Sequence, residues 1–289
     1  NELDFNGSPS ALLGTGAFGE VRQARLTRTG TITTTVVAHK SLHFLNMDAS
    51  QTLVLRHDEC QAILSEVLKE CSTLSKLNHP NIVGFVGLAV KRRADGGEEA
   101  SGIVMELMDP GSLELLLYHP RFEWARTSAG VLEESVVLQI LQGVYEGLEY
   151  LHQQNIIHRD VKPSNILIAA TEVFIEDYLD PTTTSTTITT RSTTTSNSSS
   201  PNQHRKLIIK QVKLGDLGCA RILQKKGSIV SVAGAPVYTA LEMRVDGLPR
   251  TCAMDIFSCG VMVIEMCSGH TPNPQGQEIR IVGSTVELV

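Results

Sequence analysis

The run His158-Arg159-Asp160-Val161-Lys162-Pro163-Ser164-Asn165 places a potential base, two cations and an amide oxygen within one short stretch. A carboxylate such as Asp160 can take a proton from a hydroxyl, and neighbouring cations can offset negative charge as it develops. Upstream, Leu13-Gly14-Thr15-Gly16-Ala17-Phe18-Gly19-Glu20-Val21 spaces its glycines so that backbone amides can approach phosphate with no Cβ in the way. In Val37-Ala38-His39-Lys40 the alternation of a strand turns Ala38 and Lys40 to one face and His39 to the other. A small residue and a cation then face the same site. Glu70 lies on the apolar stripe of a predicted helix with Leu74 and Leu77, where a lone carboxylate is costly. It needs a cation, and Lys40 is the obvious partner, although Glu66 one turn earlier has almost the same geometry.

Several elements must hold these groups. From Ala11 to Lys40, alternation around a glycine-rich turn predicts a β-hairpin. Ile63, Val67, Leu74 and Leu77 recur at helical spacing up to Asn78-His79-Pro80, where proline forbids continuation. Residues 82–90 and 102–107 read as strands. Val137, Ile140, Leu141, Val144, Leu148 and Leu151 define a longer helix that stops at Gln153-Gln154-Asn155. Ile166-Leu167-Ile168 and Val212-Lys213-Leu214 read as short strands. Between them, Thr182 to Ser200 is almost entirely Thr and Ser, which cannot bury enough apolar surface to offset its ordering entropy. Residues 176–204 are therefore expected to form a disordered insertion in a surface loop. A mucin-like stalk is the other reading of that composition, but a stalk does not belong inside a compact lobe. The glycine loop also occurs in dinucleotide-binding folds, where it opens a helix; here an alternating strand follows Gly19.

In its order of motifs the chain resembles the catalytic domain of eukaryotic protein kinases: glycine-rich loop, strand Lys, helix Glu, catalytic loop. Asp216-Leu217-Gly218 is similar to the metal-binding DFG motif with Leu for Phe, and Ala240-Leu241-Glu242 to APE with Leu for Pro. The resemblance covers nearly the whole chain. It implies an α+β, bilobal fold, with a small β-rich N-lobe (about 1–105) carrying one main helix, a hinge (106–109) and a larger, mostly helical C-lobe (110–289). By the same resemblance Asp160 takes or orients the proton of the attacking hydroxyl, and Lys162 stabilises the transferring phosphoryl group. Asn165 and Asp216 hold Mg²⁺ (or Mn²⁺), and Lys40, fixed by Glu70, grips the inner phosphates of ATP. Leu13, Gly14, Gly16 and Gly19 belong to the loop over the nucleotide. Val21 and Ala38 lie above the adenine and Leu167 below it, with Met105 at the back and Glu106 to Met108 as the hinge. Asp255 begins the helix that anchors the catalytic loop. Lys162 points to Ser/Thr acceptors on protein substrates, and "LSKLNHPNIV" and "VMELMDPGSL" resemble the tyrosine-kinase-like group. Arg159 implies an activation segment ordered by phosphorylation, with Ser228 and Ser231 as candidate acceptors.

The chain departs from the pattern in places. Ala235 stands where Ser/Thr kinases place a Thr that bonds the catalytic Asp and Lys, and no pattern for the last C-lobe helices follows His270. These departures predict a chain that is poorly stable or inactive by itself, and they keep open a pseudokinase or scaffold reading. With a net charge of -6 and no long basic run, nothing in the sequence suggests a nucleic-acid footprint. The six cysteines form no CxxC pair and suit a reducing, cytoplasmic setting. No signal sequence opens the chain, and its apolar stretches fall short of the ~20 residues that span a bilayer. An Asn at position 1 suggests a piece of something longer.

Overall fold

A computed structural model describes residues 2–4, 12–16, 19–28, 33–41, 71–92, 96, 98–176, 187–189, 203–222, 236–244, 248–272, 279–282 and 285–288. The first lobe is a six-stranded antiparallel sheet of β1 (Glu2–Asp4), β2 (Leu12–Gly16), β3 (Gly19–Thr27), β4 (Thr34–Ser41), β5 (Phe85–Arg92) and β6 (Glu98–Glu106). Its order is β1-β3-β4-β6-β5, with β2 against β3. The register aligns Val21 with Lys40 and Lys40 with Ile103, and likewise Gln23, Ala38 and Met105. Directly opposed residues share a face, so Val21, Ala38, Lys40, Ile103 and Met105 line one side. The opposite side buries Ala24, Leu26, Val37 and Val104, with Leu3 and Ala89 packed against them. His39 is buried on that second side, and a Cβ at Gly102 would come within 2.3 Å of its Nε2. Only glycine fits there.

The chain leaves β6 into β7 (Pro110–Ser112), α1 (Leu113–Tyr118) and a 3₁₀ turn at Pro120–Ala125. Next comes α2 (Glu134–Gln153), whose stripe of Val136, Val137, Ile140, Val144, Leu148 and Leu151 is buried. Asn155 ends it in a left-handed conformation, φ 57°. Two glycines let α2 press onto the strand beneath. A Cβ at Gly143 would lie 2.6 Å from Val212 Cβ, and one at Gly147 would lie 2.7 Å from the Asn81 carbonyl oxygen.

Beyond β8 (Ile156–Ile157), β9 (Ile166–Glu176) pairs with β11 (Gln203–Leu214) in one long antiparallel hairpin, from Ile166 opposite Leu214 out to Glu176 opposite Gln203. β10 (Thr187–Thr189), inside the Thr/Ser-rich stretch, pairs with the outer end of β9. The two main strands are much longer than the short segments the sequence suggests. Leu207 and Ile209 join the main core beside Phe122 and Trp124, so apolar contact carries the ladder outward. β12 (Arg221–Ile222) pairs with β8, and α3 (Leu241–Arg244) and α4 (Ala253–Ser268) follow. A last hairpin joins β13 (Ile279–Val282) to β14 (Thr285–Leu288). The main core runs from Ile103 and Met105 of the sheet through Leu113, Ile140, Leu148, Ile166 and Leu214 to Met262 and Met266 of α4. This is the two-lobed α+β arrangement expected above.

Candidate active site

The segment between β8 and β9 owes its shape to α4. Asp255, in the first turn of that helix, is fully buried, and its Oδ2 accepts the His158 N–H at 2.9 Å while Oδ1 accepts the Arg159 N–H at 2.8 Å. His152 of α2 brings Nε2 to 2.8 Å from the same carboxylate. Arg159 is left-handed, φ 71°, a conformation that costs an L residue free energy, and the two bonds to Asp255 hold it there. The His158 ring is buried with Nε2 3.0 Å from the Gly215 carbonyl. A carbonyl only accepts, so Nε2 is the donor and Nδ1 is left to accept the Asp160 N–H at 3.3 Å.

Asp160 is thereby presented with two different oxygens. Oδ2 accepts from Lys162 Nζ at 2.8 Å and from Asn165 Nδ2 at 2.9 Å, and Asn165 Nδ2 also donates to the Asp160 carbonyl at 2.7 Å. Oδ1 is buried and has no hydrogen-bond partner among the described residues. A buried carboxylate oxygen without a donor is costly to maintain.

Lys40 projects from β4 with its side chain 6% exposed, and its Nζ lies 2.7 Å from Asp216 Oδ1. Asp216 follows β11 after Gly215 and is left-handed at φ 50°. Burial alone would raise its carboxyl, but the Lys40 charge and hydrogen bond, with help from the Gly218 N–H, reverse that and hold it below the usual carboxylate range. Gly215 stitches this pair to the Asp160 group, since its N–H donates to the Asn165 carbonyl at 2.8 Å while its carbonyl takes the His158 ring. Glu70 and Glu66, the expected partners of Lys40, lie outside the described residues, as do Ser228, Ser231, Ala235, Ala17 and Phe18.

At the glycine loop, β2 and β3 pair Gly14 with Val21 and Gly16 with Gly19, so the glycines flank the turn. Leu13 is exposed, Val21 and Leu167 are half-buried, and Ala38, Met105 and Met108 are buried. Leu167 packs against Gly215, where a Cβ would lie 2.9 Å from Leu167 Cδ1.

The family model for the protein kinase domain matches residues 8–287. The chain belongs to the protein kinase family. Among curated relatives, this kinase is 28% identical over 267 residues to Mitogen-activated protein kinase kinase kinase 5 of Arabidopsis thaliana, a match covering 90% of this chain and 28% of that protein. It is 30% identical over 217 residues to MAP kinase kinase kinase SSK2 of Saccharomyces cerevisiae, covering 73% of this chain and 12% of that one. With Lectin-domain containing receptor kinase VI.4 of Arabidopsis thaliana it shares 30% over 216 residues, covering 73% of this chain and 24% of that relative. The chain thus spans less than a third of the length of each.

Metal chemistry has a place in this kinase. The Asn165 amide oxygen and Asp216 Oδ2 make no hydrogen bond among the described residues, and both are the hard oxygen donors that Mg²⁺ prefers. Among the described residues no cluster of three or more His, Cys, Asp or Glu could hold a metal.

Two carboxylate side-chain roles in the kinase stand outside the expectations above, those of the partly exposed Glu106 and the buried Glu265. Glu106, expected above as part of the hinge, accepts with Oε1 from both Lys213 Nζ and the Gly84 N–H. Glu265, only 1% exposed, accepts the hydroxyls of Tyr118 and Tyr238. A glutamate on the buried stripe of α4 beside Val261 and Met262 is the signal that could have revealed it.

Proposed function

We propose that this kinase transfers the γ-phosphate of ATP to Ser/Thr hydroxyls of protein substrates. The observation that carries the reading is Asp160: one oxygen is fixed by Lys162 and Asn165, and the other is buried with no donor among the described residues. A substrate hydroxyl supplies the missing donor and is oriented by it for attack. Lys162, already on Asp160, offsets charge on the transferring group. Lys40 serves the inner phosphates, and Glu70 is its partner in the working state. Asn165 and Asp216 hold Mg²⁺ or Mn²⁺, which when bound neutralises phosphate charge. Leu13, Gly14, Gly16, Gly19 and Val21 cover the nucleotide, while Ala38, Met105, Glu106, Met108 and Leu167 enclose the base. Lys162 and a relative named Serine/threonine-protein kinase SSK22 support Ser/Thr acceptors. Arg159 is the regulatory cation, with Ser228 and Ser231 as the candidate phosphate acceptors. The free thiols of Cys252, Cys259 and Cys267 suit a reducing cytoplasm.

Transfer of labelled phosphate from ATP to Ser, Thr and Tyr peptides, compared between the parent chain and Asp160→Asn, tests the reading. Removing the base should lower the rate about 10²- to 10⁴-fold while Mg·ATP still binds. Equal rates would remove Asp160 from the chemistry. No transfer by either protein would leave the scaffold reading, and transfer confined to Tyr would overturn the acceptor class.

A further inference from the structure

Lys213 is a buried cation that no step above uses. Its side chain is 8% exposed, in the third-last position before Asp216, and its Nζ donates to Glu106 Oε1 at the start of the hinge. An ammonium so placed is tolerable only when paired. The same Glu106 oxygen accepts the Gly84 N–H, and the Glu106 N–H returns a bond to the Gly84 carbonyl at 2.9 Å. A Cβ at Gly84 would stand 3.1 Å from that Oε1, so a side chain there would push the Glu106 carboxylate back by a few tenths of an ångström.

The strap Asn81–Gly84 is in turn laced to β11. Val83 N–H donates to the Leu214 carbonyl at 2.9 Å, and Leu214 N–H donates to the Asn81 carbonyl at 2.8 Å. Asn81 Nδ2 donates to the Val212 carbonyl at 2.9 Å. Lys213 therefore closes a ring made of the last residues of β11, the strap and Glu106. Lys213 also stands directly opposite Leu167 in the ladder, on the face of the residue expected beneath the adenine. One arc of the ring carries the hinge amides, and the other ends on Asp216.

We propose that Lys213 is a positioning residue for the nucleotide: through Glu106 it fixes the hinge, which meets the base, relative to Asp216, which meets the phosphate end. This rests on the reading that Mg·ATP binds between those two points. The two ends of a nucleotide lie a set distance apart, so holding both recognition points in place beforehand lowers the ordering cost of binding. An ion pair that merely adds stability would change the melting temperature and leave affinity for the nucleotide untouched.

Calorimetric titration of Mg·ATP into the full chain and its variants separates the two. Loss of a charge-assisted contact that leaves Glu106 unpaired should weaken binding about tenfold in Lys213→Met. Lys213→Arg keeps a cation and should bind within about threefold of the parent. The double variant Lys213→Met/Glu106→Gln, which strands no charge, should fall between the parent and Lys213→Met. Parent-like affinity in Lys213→Met, at any melting temperature, overturns the inference, as does an Arg variant no better than Met. If Lys213→Met fails to fold, the double variant carries the test, with weakened binding supporting the inference and parent-like binding overturning it. Because binding is read directly, a parent chain that binds Mg·ATP but transfers no phosphate would defeat the phosphotransfer reading alone.

Discussion

His39 sits one peptide bond from Lys40 on the opposite face of the sheet, and burial holds its imidazole below the ordinary value of 6.5. Above pH 6.5 the ring is neutral in both the folded and the unfolded chain. As pH falls through 6.5 the unfolded chain takes up a proton that the folded chain resists, so stability declines. Melting curves from about pH 7.5 down to about pH 5.5 should show that decline in the parent chain. His39→Val, which keeps a strand-forming residue, should flatten it; an unchanged slope would show that other groups set the acid limb. The chemistry of single residues was legible where the pattern is local. His158 to Asn165 are consecutive, and the alternation that sets Lys40 apart from His39 is a property of any strand. The Lys213 and Glu106 pair was not legible, because the partners are 107 residues apart and each looks ordinary in its own strand.

Among the elements, α2 was read almost to its ends, since a 3.6-residue stripe needs no knowledge of the partner it packs on. Its glycines depend entirely on that partner. Ala at position 147 has the better helix propensity by about 1 kcal/mol. Yet the added methyl would meet the Asn81 carbonyl at 2.7 Å and Leu214 Cδ1 at 3.0 Å, atoms that cannot all retreat. Gly147→Ala should therefore destabilise the chain, by about 1–3 kcal/mol as overpacking does, in a urea titration. A gain in stability would mean that α2 does not press on β11 as closely as described. The lengths of β9 and β11 escaped the sequence reading for a related reason. Thr- and Ser-rich composition around them hides the outward run of Leu207 and Ile209, whose burial depends on contact with Phe122 and Trp124 from a distant turn.

At the scale of the whole molecule, the hairpin begins and ends in the candidate active site, with Asn165 just before β9 and Asp216 just after β11. Its outer end sets Glu176 directly opposite Gln203, the geometry that a two-residue turn closes. Replacing residues 177–202 by Asn-Gly should leave the melting temperature within about 5 °C, since loop-closure entropy changes only slowly with length. Collapse of the fold in that variant would show that the Thr/Ser-rich stretch contributes to the core.

The same ladder gives the chain a natural place to be divided. A break anywhere between Glu176 and Gln203 would put Lys40, Asp160 and Asn165 on one fragment and Asp216 on the other, with the full length of β9 and β11 to draw them together. Neither fragment would hold a complete site, while their reunion would restore every group named here. The hairpin is thus a complementation seam, and phosphate transfer from two separately expressed halves would report directly on their association.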